Sequence, residues 1–226
     1  MVIGVVGDSG SGKTTLSAAI AAEIAAQRGP SCVTSICLDD YHRYDRADRS
    51  RLDLTALTPE CNRLDLMAEH LQALKRGSTV VKPVYNHEHG TFDPDEQVTP
   101  GDIVIARGLL GLHTAELRAA FDLTVFLDPD AALRIRWKIA RDTAKRGYTA
   151  EQVIQHLRRR EIDSARYVAP QRVHADVVIM YSPGSDGMLT LRTDVRTKRD
   201  VSVVLAAAER ARGQTVSAAS LPVEAR

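Results

Sequence analysis

The run Gly7-Asp8-Ser9-Gly10-Ser11-Gly12-Lys13-Thr14 fits the pattern G-x-x-x-x-G-K-[ST] and constrains this chain more than any other feature. It follows the apolar stretch Val2 to Val6, which reads as a buried strand. It precedes Leu16 to Ile24, which reads as a helix. Glycines let the backbone curl so that successive N–H groups face an anion, and the helix start adds its positive dipole end. Lys13 then contributes a charge near the β- and γ-phosphates of a nucleotide, and the Thr14 hydroxyl a ligand for Mg²⁺. The expected nucleotide contacts are Gly7, Asp8, Ser9, Gly10, Ser11, Gly12, Lys13, Thr14 and Thr15. The bland alternative is a glycine-rich turn without a ligand.

At 226 residues the chain has room for one domain with a sizeable core. Its 30 basic and 29 acidic residues give a net charge of +1, which argues against a general nucleic-acid binder. No apolar run reaches the roughly 18 residues that span a bilayer, and no signal-peptide pattern opens the chain. The three cysteines, Cys32, Cys37 and Cys61, lack metal-type spacing, which fits a reducing, cytoplasmic setting.

Strand and helix patterns alternate along the chain. Strands are expected at Val33 to Leu38, Asp102 to Ala106, Leu123 to Leu127, Val177 to Met180 and Leu189 to Leu191. Helices are expected at Asn62 to Arg76, Leu112 to Ala120, Ala131 to Arg146, Thr149 to about Tyr167 and Val201 to Arg212. Thr149 with Gln152 forms a capping box. The pattern predicts an α/β fold with a mainly parallel sheet between helical layers. The expected organisation is a single domain over 1–212, a lid region over about 130–168, and a loose tail over 213–226. Asp39 to Glu60 and Lys82 to Pro100 read as long connections, a place to look for a substrate site.

Asp39 follows the second strand, at the sheet edge where α/β proteins bind ligands. A carboxylate there can accept the proton of a hydroxyl attacking a phosphate. Asp39 is therefore the expected base, Asp40 a solvated neighbour, and a plain strand-end turn the alternative. His42, Arg43, Arg46, Arg49 and Arg51 follow closely. Such a cluster would suit a phosphorylated acceptor, although a run of this kind also occurs as a solvated loop. Tyr85, Asn86, His87 and His89 offer hydrogen-bonding groups for sugar hydroxyls or phosphate, or a histidine metal pair. Lys138, Arg141, Asp142, Lys145 and Arg146 fall at helical spacing on one side of a helix. They read as a basic lid over a transferring phosphate, or as a salt-bridged surface helix.

At these residues the chain resembles the phosphoribulokinase and uridine kinase family of P-loop kinases, its phosphoribulokinase branch in particular. The likeness runs from about Val2 to Met180. It rests on GDSGSGKTT, CLDDYHRYDR, TALTPECNRLDLMAEHLQALKRG, KPVYNHEHGTF and WKIARDTAKRGYT followed by YVAPQRVHADVV. The resemblance implies a three-layer P-loop fold and transfer of phosphate from MgATP to the 1-hydroxyl of ribulose 5-phosphate, a Calvin-cycle step. It implies Asp39 as base and metal-site carboxylate, Thr14 as metal ligand, and Lys13, Arg141 and Asp142 as catalytic. It assigns His42, Arg46, Arg49, Tyr85, His87, Lys138, Arg141 and Arg146 to the substrate, and a dimer or larger assembly to the protein. A kinase for another acceptor and a catalytically impaired nucleotide-binding protein are the alternatives.

Two positions depart from the family pattern. Arg107 stands where the family carries an acidic residue that helps hold Mg²⁺. Reversing that charge at ~4 Å and an effective dielectric of ~20 involves roughly 4 kcal/mol per unit-charge interaction. Direct contact of Arg107 with phosphate, or compensation by Asp8, are the expected ways to accommodate it. Ser11 and Cys37 occupy the two positions where photosynthetic members pair cysteines, so that disulfide cannot form here.

Overall fold

The computed structural model describes residues 1–185 and 188–219, with side chains through 213. Six strands, β1 (Val2–Gly7), β2 (Val33–Cys37), β5 (Ile103–Gly108), β6 (Leu123–Leu127), β7 (Val177–Pro183) and β8 (Leu189–Val195), form one sheet in the order β2-β5-β1-β6-β7-β8. All neighbours are parallel except β7 and β8. The β1 strand is buried along its whole length, as its unbroken apolar run requires in a sheet covered on both faces.

Helix α1 (Lys13–Arg28) and helix α7 (Ser202–Ala219) cover one face. Their Leu16, Ile20 and Val204 pack with Ile3, Val5, Ile105 and Val125 of the sheet. Helix α3 (Leu64–Lys75) and helix α4 (Ala115–Ala120) cover the other, where Leu71 and Leu117 meet Val6, Val104 and Phe126. The α/β layering expected from the sequence is therefore the architecture observed. No described helix is long and apolar enough to cross a membrane.

The segment Lys82 to Pro100, expected as a loop, is a β-hairpin of β3 (Val80–Asn86) and β4 (Thr91–Val98). Two features hide it. Pro83 sits at a register shift in β3, and β4 is exposed at every position but Val98, so no apolar alternation marks it. The turn is tied by the Asn86 side chain, whose Oδ1 accepts the N–H groups of Glu88 and His89. Within Asp39 to Glu60 there is a short helix α2 (Arg46–Arg51), capped by the Asp45 carboxylate.

Other boundaries move. The α4 helix starts at Ala115, because Thr114 caps it by accepting from the Leu117 N–H. Helix α5 (Ala131–Arg146) ends as read, at Gly147 in the left-handed region. Helix α6 (Ala150–Asp163) begins with the expected Thr149–Gln152 capping box, and a π-turn then runs over Ser164–Val168. The tail expected from 213 is helical to Ala219, since one glycine costs a helix only about 1 kcal/mol and alanines follow it. Residues 220–226 lie outside the described residues.

After the π-turn, Gln171 fastens the chain to the sheet edge. Its Nε2 donates to Leu109 O and Tyr167 O, and its Oε1 accepts from Leu112 N–H, all at 2.8–2.9 Å and 2% exposure. Gln171→Leu should cost about 1–3 kcal/mol by stranding those backbone groups. Urea denaturation checks this, and an unchanged midpoint would contradict it.

Candidate active site

The loops at the carboxyl ends of β1, β2 and β5 meet α5, α6 and the β3–β4 hairpin around a cavity of about 1060 Å³. One wall is the glycine loop. Gly10 and Gly12 lie at φ +84° and +94°, and no side chain caps the first turn of α1. The free N–H groups of that turn therefore face an anion site. The Lys13 ammonium folds back on the Gly7 and Asp8 carbonyls at 2.9 Å each. Burial lowers its pKa, and the nearby Asp39 and Asp8 carboxylates oppose the shift.

Helix α5 lies directly on this loop. A β-carbon at Gly10 would come 2.8 Å from Lys138 Cβ. Asp8 ties the two together: its Oδ2 takes Arg134 Nη1 at 2.9 Å and the Ser164 hydroxyl at 2.5 Å. The Asp8 carboxylate is thus already neutralised by α5, which removes it as the compensating acid for Arg107.

On α5, Asp142 is 2% exposed and gathers the basic residues. Lys138 Nζ lies 2.5 Å from it, Arg141 Nε 2.8 Å and Arg146 Nε 3.7 Å. Burial works to raise its pKa, but hydrogen bonds from Arg141 and Lys138 prevail and hold the carboxyl below its ordinary value. The helix carries i,i+4 ion pairs, of which Lys138–Asp142 is buried in the cavity wall while Arg146 is partly exposed. Arg141 Nη2 is buried without a partner. A charged donor left unsatisfied in a cavity wall marks a place for an anion. Lys145 also lines the cavity.

Asp39 lies at the opposite side of the loop. Its Oδ1 accepts the Leu109 N–H at 2.9 Å, and it lines the cavity. Asp40, expected to be solvated, is buried instead, because the chain turns in a 3-10 segment at Leu38–Asp40 and sends it toward the hairpin. There Lys82 Nζ pairs with it at 2.6 Å. Sequence reading missed Lys82, whose only signal is its place at the head of the KPVYNH run.

The basic cluster after Asp39 divides. His42, Arg46 and Arg49 line the cavity, whereas Arg43 and Arg51 do not. Arg51 pairs with Asp48 at the surface. Arg49 is buried, donating to Tyr85 Oη and Tyr44 O at 2.6 Å each. Arg46 donates to the His87 and Glu88 carbonyls in the hairpin turn. His42 is buried against Tyr85, with its Nδ1 2.9 Å from Asn62 Oδ1. Asn62 Nδ2 donates to Ala56 O and Thr58 O, so that Oδ1 must accept from His42 Nδ1–H. The His42 Nε2 is then an acceptor. Burial, and then Arg49, push the His42 pKa down to about 4, so the ring is neutral at pH 7. It suits a hydroxyl better than a phosphate.

Tyr85 and His87 line the cavity, but His89 does not. This ends the reading of the two histidines as a metal pair. Cys37, Asp40 and His87 do place ligand atoms within 4.8 Å of one another. Yet Lys82 already neutralises Asp40, and burial pushes the Cys37 thiol up to about 12, with Asp39 and Asp40 adding to the shift. A protonated thiol beside a compensated carboxylate is a poor cation site. Arg160, also missed in the sequence, completes the basic wall, where burial and then Arg49 lower its pKa.

Lys138 gives a direct test of this electrostatic arrangement. Burial pushes its pKa down to about 8 against the pull of Asp142. The folded value lies below the ordinary 10.5, so the unfolded chain binds more protons between those limits and stability rises with pH there. From pH 8 to 10, Lys138→Met should remove on the order of 2 kcal/mol of that rise. Urea denaturation of both chains at the two pH values measures the difference, and identical pH dependence would contradict the buried charge.

The phosphoribulokinase / uridine kinase family model matches residues 2–186. Phosphoribulokinase of Synechocystis sp. is 42% identical over 183 residues, covering 81% of this chain and 54% of that protein. The chloroplastic phosphoribulokinase of Spinacia oleracea is 37% identical over 196 residues, covering 81% and 49%. The chain thus spans about half the length of these two curated relatives. A uridine kinase of Brevibacillus brevis is 35% identical over 187 residues, covering 79% of this chain and 84% of that one. In fold, the chain superposes on a phosphoribulokinase structure from Rhodobacter spheroides with a TM-score of 0.69, at 20% identity and over 97% and 98% of the two chains.

Proposed function

The chain belongs to the phosphoribulokinase / uridine kinase family, and we propose that it transfers the terminal phosphoryl group of ATP to the 1-hydroxyl of D-ribulose 5-phosphate. The observation that carries this reading is the basic wall beyond the nucleotide loop. Arg46, Arg49, Arg146 and Arg160 line the cavity on the acceptor side, with the neutral acceptor His42 among them. A phosphorylated sugar uses both the charge and the hydroxyl acceptor. A nucleoside acceptor brings no phosphate to that wall.

The loop N–H groups and Lys13 hold the β- and γ-phosphates. Asp39 takes the proton of the attacking 1-hydroxyl as its oxygen bonds to phosphorus and the bond to the ADP oxygen breaks. Arg141, with its unpaired Nη2, meets the charge on the equatorial phosphate oxygens. Lys138 is buried in the same wall beside it. Asp142 positions both cations. The 5-phosphate of the acceptor lies against the arginines of α2 and α6. Tyr85 and His87 contact the sugar hydroxyls.

The donor set tests whether Mg²⁺ fits. Thr14 and Asp39 present oxygen atoms, which Mg²⁺ prefers, and they would hold it together with phosphate oxygens and water. Bound there, Mg²⁺ supplies neutralising charge to the phosphates. Asp8 is engaged elsewhere.

Release of ADP should depend on D-ribulose 5-phosphate and exceed the rate with uridine. Asp39→Asn should lower kcat about 10²–10⁴-fold with little change in KM. Equal or faster turnover with uridine, or full activity in Asp39→Asn, would contradict the assignment.

A further inference from the structure

Arg107 occupies a place in the cavity that the reaction above does not use. In β5 it alternates with Ala106, so it lies on the sheet face of Ile103 and Ile105, the face covered by α1. Its register partners are Val5 on β1 and Cys37 on β2. At the carboxyl edge of that face stands the first turn of α1, with Lys13 and Thr14. Arg107 lines the cavity with these residues and Asp39. It is near enough to Cys37 to pull the thiol pKa down against burial. Arg134, Arg141 and Arg146 are each bound to a carboxylate, whereas the Arg107 side chain makes no hydrogen bond or ion pair among the described residues.

We propose that Arg107 binds the terminal phosphate of ATP directly and so lets this chain hold the nucleoside triphosphate without a divalent cation. The proposal rests on the reading of ATP as phosphoryl donor. A guanidinium offers two parallel N–H donors to two phosphate oxygens, a match that lysine cannot make. It stands on the sheet face that α1, the helix of Thr14, covers, and it lines the cavity with Thr14. A fixed positive charge there attracts the phosphate whether or not a cation is bound. The position on β5, between the loop of β1 and the Asp39 turn of β2, directs Arg107 to the transferring end of the nucleotide.

Calorimetric titration with the non-hydrolysable analogue AMP-PNP, and with ADP, in excess EDTA and in Mg²⁺, tests this without any turnover. The native chain should bind AMP-PNP in EDTA within about 10-fold of its affinity in Mg²⁺. Arg107→Gln should weaken AMP-PNP about 10- to 100-fold in EDTA, the range of a lost charge-assisted pair, and ADP less than about 3-fold. Arg107→Lys should fall between. Arg107→Glu should bind AMP-PNP only with Mg²⁺. The residue is half-buried at the sheet edge, and melting temperatures within a few degrees of the native chain establish that the variants fold. Unchanged AMP-PNP affinity in Arg107→Gln, or a native chain that binds only with Mg²⁺, overturns the proposal. Loss in Lys13→Ala alongside no loss in Arg107→Gln would leave the kinase reading standing and reject the role of Arg107. Failure of the native chain to bind AMP-PNP or ADP under either condition would reject both.

Discussion

Helix α5 lies on the phosphate loop with no layer between them, and the rest of the site depends on that contact. Gly10 admits the approach, since any β-carbon there would strike Lys138. Arg134 and Ser164 fasten the loop through Asp8. The contact has an electrostatic consequence. It buries Lys138 in the cavity wall, and a buried ammonium needs a counter-charge. Asp142 supplies it and holds Arg141 and Arg146 in the same wall. One packing arrangement thus places three cations in the cavity wall beside the loop, where charge interactions are stronger than in bulk water.

Much of this was legible in the sequence because local chemistry specifies it. The loop motif, the unbroken apolar β1, the Thr149–Gln152 capping box and the glycine after Arg146 each act within a few residues. The place of Asp39 at the cavity was legible because the strand ends of an α/β sheet form its ligand-binding edge. What escaped depends on long-range pairing. The partners of Asp8 lie 126 and 156 residues away on α5 and beyond α6, and the Lys82 partner of Asp40 lies across 42. The hairpin escaped because prolines and an exposed strand leave no period to read. The division of the arginines after Asp39 follows from α2. Arg46 and Arg49 are three apart on one helical face, whereas Arg51 falls off it.

The net charge of +1 conceals how unevenly charge is spread. The cavity collects arginines and lysines from α1, α2, β5, α5 and α6, while much of the acid pairs elsewhere, with Asp8, Asp40 and Asp53 each engaged by a cation. Asp39 stays in the cavity. Arg107 adds to the excess at the edge where Thr14 and Asp39 present oxygen. The Cys37 thiol beside it is held protonated by burial. A cavity with this balance suits an anion.

The most direct measurement is phosphorus-31 NMR of the native chain with MgATP and D-ribulose 5-phosphate. Transfer to the 1-hydroxyl predicts a second phosphomonoester resonance that grows in step with ADP, until two such signals of equal intensity remain. Appearance of inorganic phosphate with no new monoester, or conversion of uridine while ribulose 5-phosphate stays unchanged, would contradict the account.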